Sequence, residues 1–409
     1  MALDRFKADR EADRVLPHRS PNIFPSGPNS SDAKNSWFTG GCLSDLLIYG
    51  ATGYTGQLIA RSAVSLGLRP IVAGRDSGRV CNLAAELNCP SRVFSLGSTA
   101  SVATCLEHVR VVLNCAGPFS HTAVAMIEAC LVAKSHYLDI TGEINAIEAA
   151  ARRHEQAAMA GIAIIPAVGF DVVPTDCLAA MLKAALPSAT HLKLGFTAAR
   201  ISRGTAKTLL EVLSQGGRVR ANGEIRKVPI AGQTLKIPFA TGNRLGVSIP
   251  WGDVATAYYS TGIPNIEVFA AMPRGAIRRM QQLAWVLPVV KLWPIRKCLQ
   301  SIIELRIKEP SEQQREWERS LFWGRASNAV GQQVEARLTA PSAYTLTTLT
   351  ALSAVKRIFS EAVRPGFSTP SQAFGAEFIR SIPDTTVSCG KVVGTEAPNA
   401  EAERSKRDV

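Results

Sequence analysis

The chain has 409 residues, enough for two to three domains, and its 46% hydrophobic and 19% charged residues make it too apolar for a mainly disordered protein. A formal charge of +13 raises nucleic acid as a partner, but aromatic residues are only 6% and no basic cluster interleaves with them as a base-stacking platform would. Nucleic acid is therefore set aside, since cofactor phosphates or anionic lipid head groups account for such a charge equally well. Nine single cysteines without C-x-x-C spacing and six histidines without H-x-x-x-H spacing argue against a disulfide framework and against a metal site. That usage fits a reducing, cytoplasmic compartment.

In chain order, residues 1–44 are rich in Pro, Ser and Asn and read as a flexible extension, too acidic for a transit peptide (Asp4, Asp9, Glu11, Asp13, Asp32). From residue 45 strand-length apolar runs (LLIYG, PIVAGR, VRVVLNCAG, HYLDITGE, IAIIPAVGF) alternate with helix-length amphipathic segments. The alternation predicts a Rossmann-type, doubly wound parallel α/β domain over 45–175. Residues 176–343 read as a second, α+β domain for substrate binding or dimerisation, with a basic helical stretch over 274–323 and an alternating strand at 333–341. A helix from 344 opens a C-terminal segment, 344–383, and a polar tail expected to be disordered follows over 384–409. The apolar run 283–290 is interrupted by Pro288 and ends at Lys291, well short of the roughly 20 residues of a membrane span.

Gly50-Ala-Thr52-Gly53-Tyr54-Thr55-Gly56 follows the first strand and opens a helix. In that context the first glycine allows the turn, the second lets backbone N–H groups approach a pyrophosphate, and the third packs helix against strand. Arg75, at the tip of the second strand, favours the 2′-phosphate of NADP(H) over NAD(H), while the neighbouring Asp76 keeps a ribose contact open. Asn114-Cys115-Ala116-Gly117-Pro118 ends the fourth strand and should line the ribose and nicotinamide. Gly142 and Glu143, then Phe170 and Asp171, end the next two strands and point to the same crevice as a substrate pocket. Asp171 reads either as a catalytic group or as the N-cap of the following helix.

The segments GATGYTG, AGR, NCAGPF, YLDITGE and GFDVVPTD resemble, in order, those of the saccharopine dehydrogenase-like oxidoreductases, and more closely the branch called trans-acting enoyl reductases. The likeness continues through SRGT (202–205), PWGDVATAYYSTGIPNIEVF (250–269) and GFSTPSQAFGAEF (366–378), so it runs over residues 45–383. It implies a Rossmann domain, a second α+β domain and a C-terminal segment returning to the first. It also implies an NADPH-dependent reductase of a lipid or polyketide-like intermediate, acting in trans to the synthase that builds it. The alternatives are a ketone or imine reductase, or a cofactor-sensing regulator without turnover.

Enoyl reduction needs a proton donor and a group that polarises the acyl oxygen. Tyr258, Tyr259 and Asp253 are candidates, with an aromatic strand pair as the plain alternative for the tyrosines. Lys207, beside SRGT, reads as a contact for an anionic substrate group or as part of a solvated basic loop. The stretch 274–306 combines arginines with Trp285, Trp293 and long aliphatics, which suits peripheral contact with a membrane surface or packing between subunits of a homodimer.

Overall fold

The computed structural model describes residues 45–394 apart from 198–201, 215, 284–292 and 307–308. The extension expected over 1–44 lies outside the described residues, as does most of the expected tail.

The first domain runs β1 (Leu46–Tyr49), α1 (Tyr54–Ser65), β2 (Ile71–Gly74), α2 (Ser77–Leu87), β3 (Ser91–Val93), α3 (Thr99–Thr104), β4 (Val111–Asn114), α4 (Phe119–Ala133), β5 (His136–Asp139), α5 (Ile144–Ala151), α6 (His154–Ala160), β6 (Ala163–Ile165) and α7 (Val173–Ala185). The central strands are buried at every position because helices cover both faces, which is why they read as continuous apolar runs. All pairs in this sheet are parallel, with Ile48 opposite Val72 on one side and Leu113 on the other. The strand order reverses between β1 and β4, and the crevice beyond the carboxyl ends of these two strands is where such sheets bind ligands.

The second domain contains β7 (His191–Thr197), α8 (Arg203–Ser214), β8 (Gly217–Ala221), β9 (Glu224–Val228), β10 (Thr234–Phe239), β11 (Gly242–Ser248), α9 (Asp253–Thr261), β12 (Asn265–Ala271), α10 (Arg274–Leu283), α11 (Trp293–Arg306), α12 (Glu312–Trp317), β13 (Arg319–Ser327) and β14 (Gln333–Pro341). Its mixed sheet has the order β10-β11-β12-β7-β13-β14, with β8 and β9 attached beside β12. α7 and α9 pack against each other, and α7 also lies on β13 and β14, joining the two sheets through one apolar core.

The chain then returns to the first domain. α13 (Ala343–Ser360) packs on α1 and β4, β15 (Gly366–Phe367) adds a seventh parallel strand beside β6, and α14 (Pro370–Phe374) lies on α7. Two expectations are corrected here. Residues 319–323 are not helical but begin β13, whose Leu321, Phe322 and Trp323 are buried between β7 and β14. The tail does not begin at 384, because β16 (Thr386–Cys389) pairs antiparallel with the otherwise open edge of β14.

Candidate active site

The glycine loop owes its shape to backbone crowding. Gly50 turns the chain at φ +76°, and a Cβ there would fall 2.7 Å from the Ala116 nitrogen, so the loops after β1 and β4 meet backbone to backbone. A Cβ on Gly56 would fall 2.3 Å from the Gly50 carbonyl oxygen, whereas on Gly53 the nearest atom is 3.3 Å away. Gly50 and Gly56 therefore hold the loop closed, and Gly53 leaves space in front of it. No side chain caps α1 and no carboxylate sits in its first turn. Backbone N–H groups and the positive end of the helix thus face the crevice, an arrangement that fits a dinucleotide pyrophosphate.

At the ribose end, Asp76 caps α2, its Oδ1 accepting from the Arg79 backbone N–H at 3.0 Å. Its carboxylate is engaged by its own helix. Arg79, which the sequence reading did not single out, donates from Nη2 to the Thr52 carbonyl at 2.6 Å and so stands over the glycine loop with the exposed Arg75 nearby.

The turn after β4 is held by a buried polar network. The Asn114 side chain accepts from Ala116 N–H at 3.0 Å and donates to Thr122 and to the Tyr137 hydroxyl at 3.3 Å each. The Tyr137 hydroxyl in turn donates to Asp139 at 2.7 Å. Burial raises Asp139 to about 6 even though Ala167 N–H, Thr141 N–H and Tyr137 all donate to it. Glu143, expected in the substrate pocket, accepts from the backbone N–H groups of Phe119 (2.6 Å) and Ser120 (2.9 Å). It caps α4 and so fixes the Gly117-Pro118 turn from behind. A shallow open cleft lies beside it, lined by Glu143, Ile144, Asn145, Val212, Arg218 and Pro250.

Asp171 follows β6 and does not cap α7, whose N-cap is Val172. A Cβ on Gly142 would lie 2.8 Å from Asp171 Oδ2, so the carboxyl rests against the end of β5. Burial, with Glu143 as a neighbouring charge, raises it to about 7. Trp251 donates from its indole N–H to the Asp171 carbonyl at 2.8 Å. The ring of Trp251 packs on Phe196, and Phe196 and Phe322 pack on Phe170, so that a buried aromatic cluster backs this turn. Tyr344 lies in the first turn of α13, its ring edge-on to Tyr54 at the start of α1 with centroids 4.9 Å apart. The Tyr344 hydroxyl accepts from Ser202 N–H and lies 3.3 Å from the Thr205 hydroxyl. Burial raises this phenol; the Ser202 and Thr205 hydrogen bonds partly offset that, and the Asp171 carboxylate adds to it. α13 is seated on the β6 turn by Phe170 N–H, which donates to Thr347 Oγ1 at 3.1 Å.

The structure brings together the glycine loop, the 114–118 turn, Gly142, Phe170 and Asp171. It does not bring Tyr258 and Tyr259 to them. Both lie on α9, whose buried face of Val254, Ala255 and Ala257 packs it in place and which Gly262 terminates at φ +68°, and not in a strand pair. Tyr259 donates to Glu148 on α5 at 2.9 Å, and Tyr258 lies under the Arg220 guanidinium, itself paired with Glu148. Lys207 belongs to α8, but its side chain lies outside the described residues.

Asp253 is wholly buried at the start of α9, with the Thr175 hydroxyl as its polar neighbour. Burial raises it well above the usual carboxylate range, with Asp176 and Asp171 adding to the effect. Its carboxyl has no exposed surface, and its burial favours the protonated form. A folded-state pKa raised above the unfolded value of about 3.9 means that the cost of this group grows as pH rises from there toward the folded pKa. Asp253→Asn is expected to gain stability relative to the parent from about pH 4 upward, read as a urea midpoint difference that widens with pH.

Comparison with known proteins agrees with this geometry. Residues 46–165 match the family described as saccharopine dehydrogenase NADP binding domain. The chain is 35% identical over 143 residues to a trans-acting enoyl reductase of Mycobacterium leprae, covering 32% of this chain and 34% of that protein. It is 32% identical over 188 residues to a provisionally named trans-acting enoyl reductase of Mycobacterium tuberculosis, covering 42% of this chain and 44% of that one. The matches thus span between a third and under half of the length of these curated relatives, less than the likeness read over 45–383. Structural likeness reaches further. Saccharopine dehydrogenase (L-Glu forming) from Saccharomyces cerevisiae superposes with a TM-score of 0.57 over 84% of this chain and 99% of its own, at 10% identity, which is a likeness of fold.

Proposed function

We propose that this chain, whose residues 46–165 form a saccharopine dehydrogenase NADP-binding domain, is an NADPH-dependent reductase of the enoyl double bond in an apolar biosynthetic intermediate. The observation that carries the reading is the closeness of the Asp171 carboxyl to the Tyr344 phenol, with Gly142 against the one and Tyr54 of the glycine loop against the other. NADPH, when bound, supplies the hydride that the β-carbon accepts.

The chain's residues account for the remaining requirements. The Tyr344 hydroxyl accepts from Ser202 N–H, and its raised pKa keeps its own proton in place to donate to the oxygen of a developing enolate. Asp171, raised to about 7, retains a proton near neutral pH and can deliver it to the α-carbon. Trp251, half-buried and backed by the buried rings of Phe196, Phe170 and Phe322, offers an apolar surface to an acyl chain, free or carried by a synthase partner. Asn114 and Glu143 act one step back, holding the turn that the cofactor meets.

Arg75 and Arg79 support a preference for NADPH over NADH, because Asp76 is engaged in capping α2 and leaves two guanidinium groups at the ribose end. Arg75→Ala and Arg79→Ala are each expected to weaken NADPH roughly 10- to 100-fold, the loss of a charge-assisted hydrogen bond, and to leave NADH binding nearly unchanged. Titration of nicotinamide fluorescence with both cofactors checks this, and equal losses for the two would count against the assignment.

A further inference from the structure

We propose that the outer face of α11 seats the protein on an anionic bilayer surface. α11 packs on α8 and has Leu299 and Ile303 half-buried, yet it carries a second apolar stripe that no described residue covers. Ile295, Cys298, Ile302 and Leu305 follow a spacing of three, four and three residues and so share one side of the helix. All four are exposed, Ile302 at 46% and Leu305 at 86%. Long aliphatic side chains left in water along one helix face mark a contact surface.

Charge selects the occupant. Residues 274–306 hold seven lysines and arginines and a single acid, Glu304. Arg274, Arg278, Arg279 and Arg306 are exposed and make no ion pair among the described residues. An apolar helix face in a strongly cationic segment suits insertion at the boundary between head groups and acyl chains, with arginines reaching the phosphates. Among the described residues no helix is long and apolar enough to cross a membrane, so the contact is peripheral. The location also has a consequence for access. α8, directly beneath α11, carries Thr208, whose hydroxyl would lie 3.3 Å from a Cβ on Gly117, so the bilayer-facing layer rests on the element that borders the crevice.

The test is co-sedimentation of the full chain with vesicles of phosphatidylcholine containing phosphatidylglycerol, and with vesicles of phosphatidylcholine alone. The expected result is binding to the anionic vesicles, with affinity lowered at least about 10-fold in the double variant Ile302→Glu, Leu305→Glu and also in Arg278→Glu, Arg279→Glu. Leu305→Ser alone, a milder exposed change, should lower it in the same direction with an unchanged melting temperature. Equal binding to the uncharged vesicles, no binding to the anionic ones, or binding that the apolar substitutions leave intact would overturn the proposal. A stable dimer in light scattering that Ile302→Glu, Leu305→Glu converts to monomer, without vesicle binding by the parent, would assign the face to a second copy instead.

Discussion

Gly56→Ala is expected to abolish measurable NADPH binding, a loss of at least about 100-fold, and to cost roughly 1–3 kcal/mol of stability through overpacking. The added methyl would meet the Gly50 carbonyl oxygen at 2.3 Å and the Ala51 Cα at 2.9 Å. Both are backbone atoms on the turn that must stay in place, so no rotamer change relieves the contact. The start of α1 has to move away from β1, and the Gly53 N–H to Gly50 carbonyl bond of 3.0 Å goes with it. Gly53→Ala makes the control, because its Cβ meets nothing nearer than 3.3 Å. That variant should fold with nearly the parent's stability and still lose affinity, since the methyl occupies the space in front of the loop. Fluorescence titration and urea unfolding of the two variants separate a loop that has shifted from a loop that is blocked.

Asp171→Asn is expected to lower kcat about 100-fold and to remove a pH dependence centred near neutrality. The direction follows from the raised pKa of about 7. Below it the carboxyl keeps the proton that the α-carbon needs; above it the carboxylate has none to give. Turnover of the parent should therefore fall as pH rises through about 7, and Asp171→Asn should show no such limb. Tyr344→Phe distinguishes the two roles, since it should lower kcat about 10- to 100-fold while leaving the limb in place. A parent profile flat across this range, or a limb that survives Asp171→Asn, would remove Asp171 as the donor.

How far these groups could be read from the sequence depended on whether the governing interactions are local. The glycine loop was legible because strand, turn and helix start lie within a dozen residues and the constraint on Gly56 arises inside that stretch, whereas the one on Gly50 comes from Ala116 on the loop after β4. Asp171 was legible as a residue at a strand end, but its neighbours decide its state, and Val172 rather than Asp171 caps the next helix. Tyr344 was not legible. It reaches the glycine loop only because α13 packs back on α1, and nothing in its own segment distinguishes it from an aromatic at the start of any helix. Tyr258 and Tyr259 misled for the converse reason. A tyrosine pair near Asp253 looks like a donor cluster, yet helical spacing turns both toward Arg220 and Glu148. The start of the tail was misplaced because a short polar strand such as Thr386–Cys389 has no internal signal, and the open edge of β14 supplies its partner.

The central claim is enoyl reduction with NADPH, and the most direct measurement follows the transfer itself. The full chain is given NADPH deuterated at the transferring position together with matched long-chain enoyl, keto and imine substrates, and the products are analysed by mass spectrometry and NMR. The expected result is oxidation of the cofactor with the enoyl substrates and deuterium at the β-carbon of the saturated product. Deuterium appearing only on the carbinol carbon of reduced ketones, or only in reduced imines, would contradict it, as would tight NADPH binding with no transfer to any of the three classes.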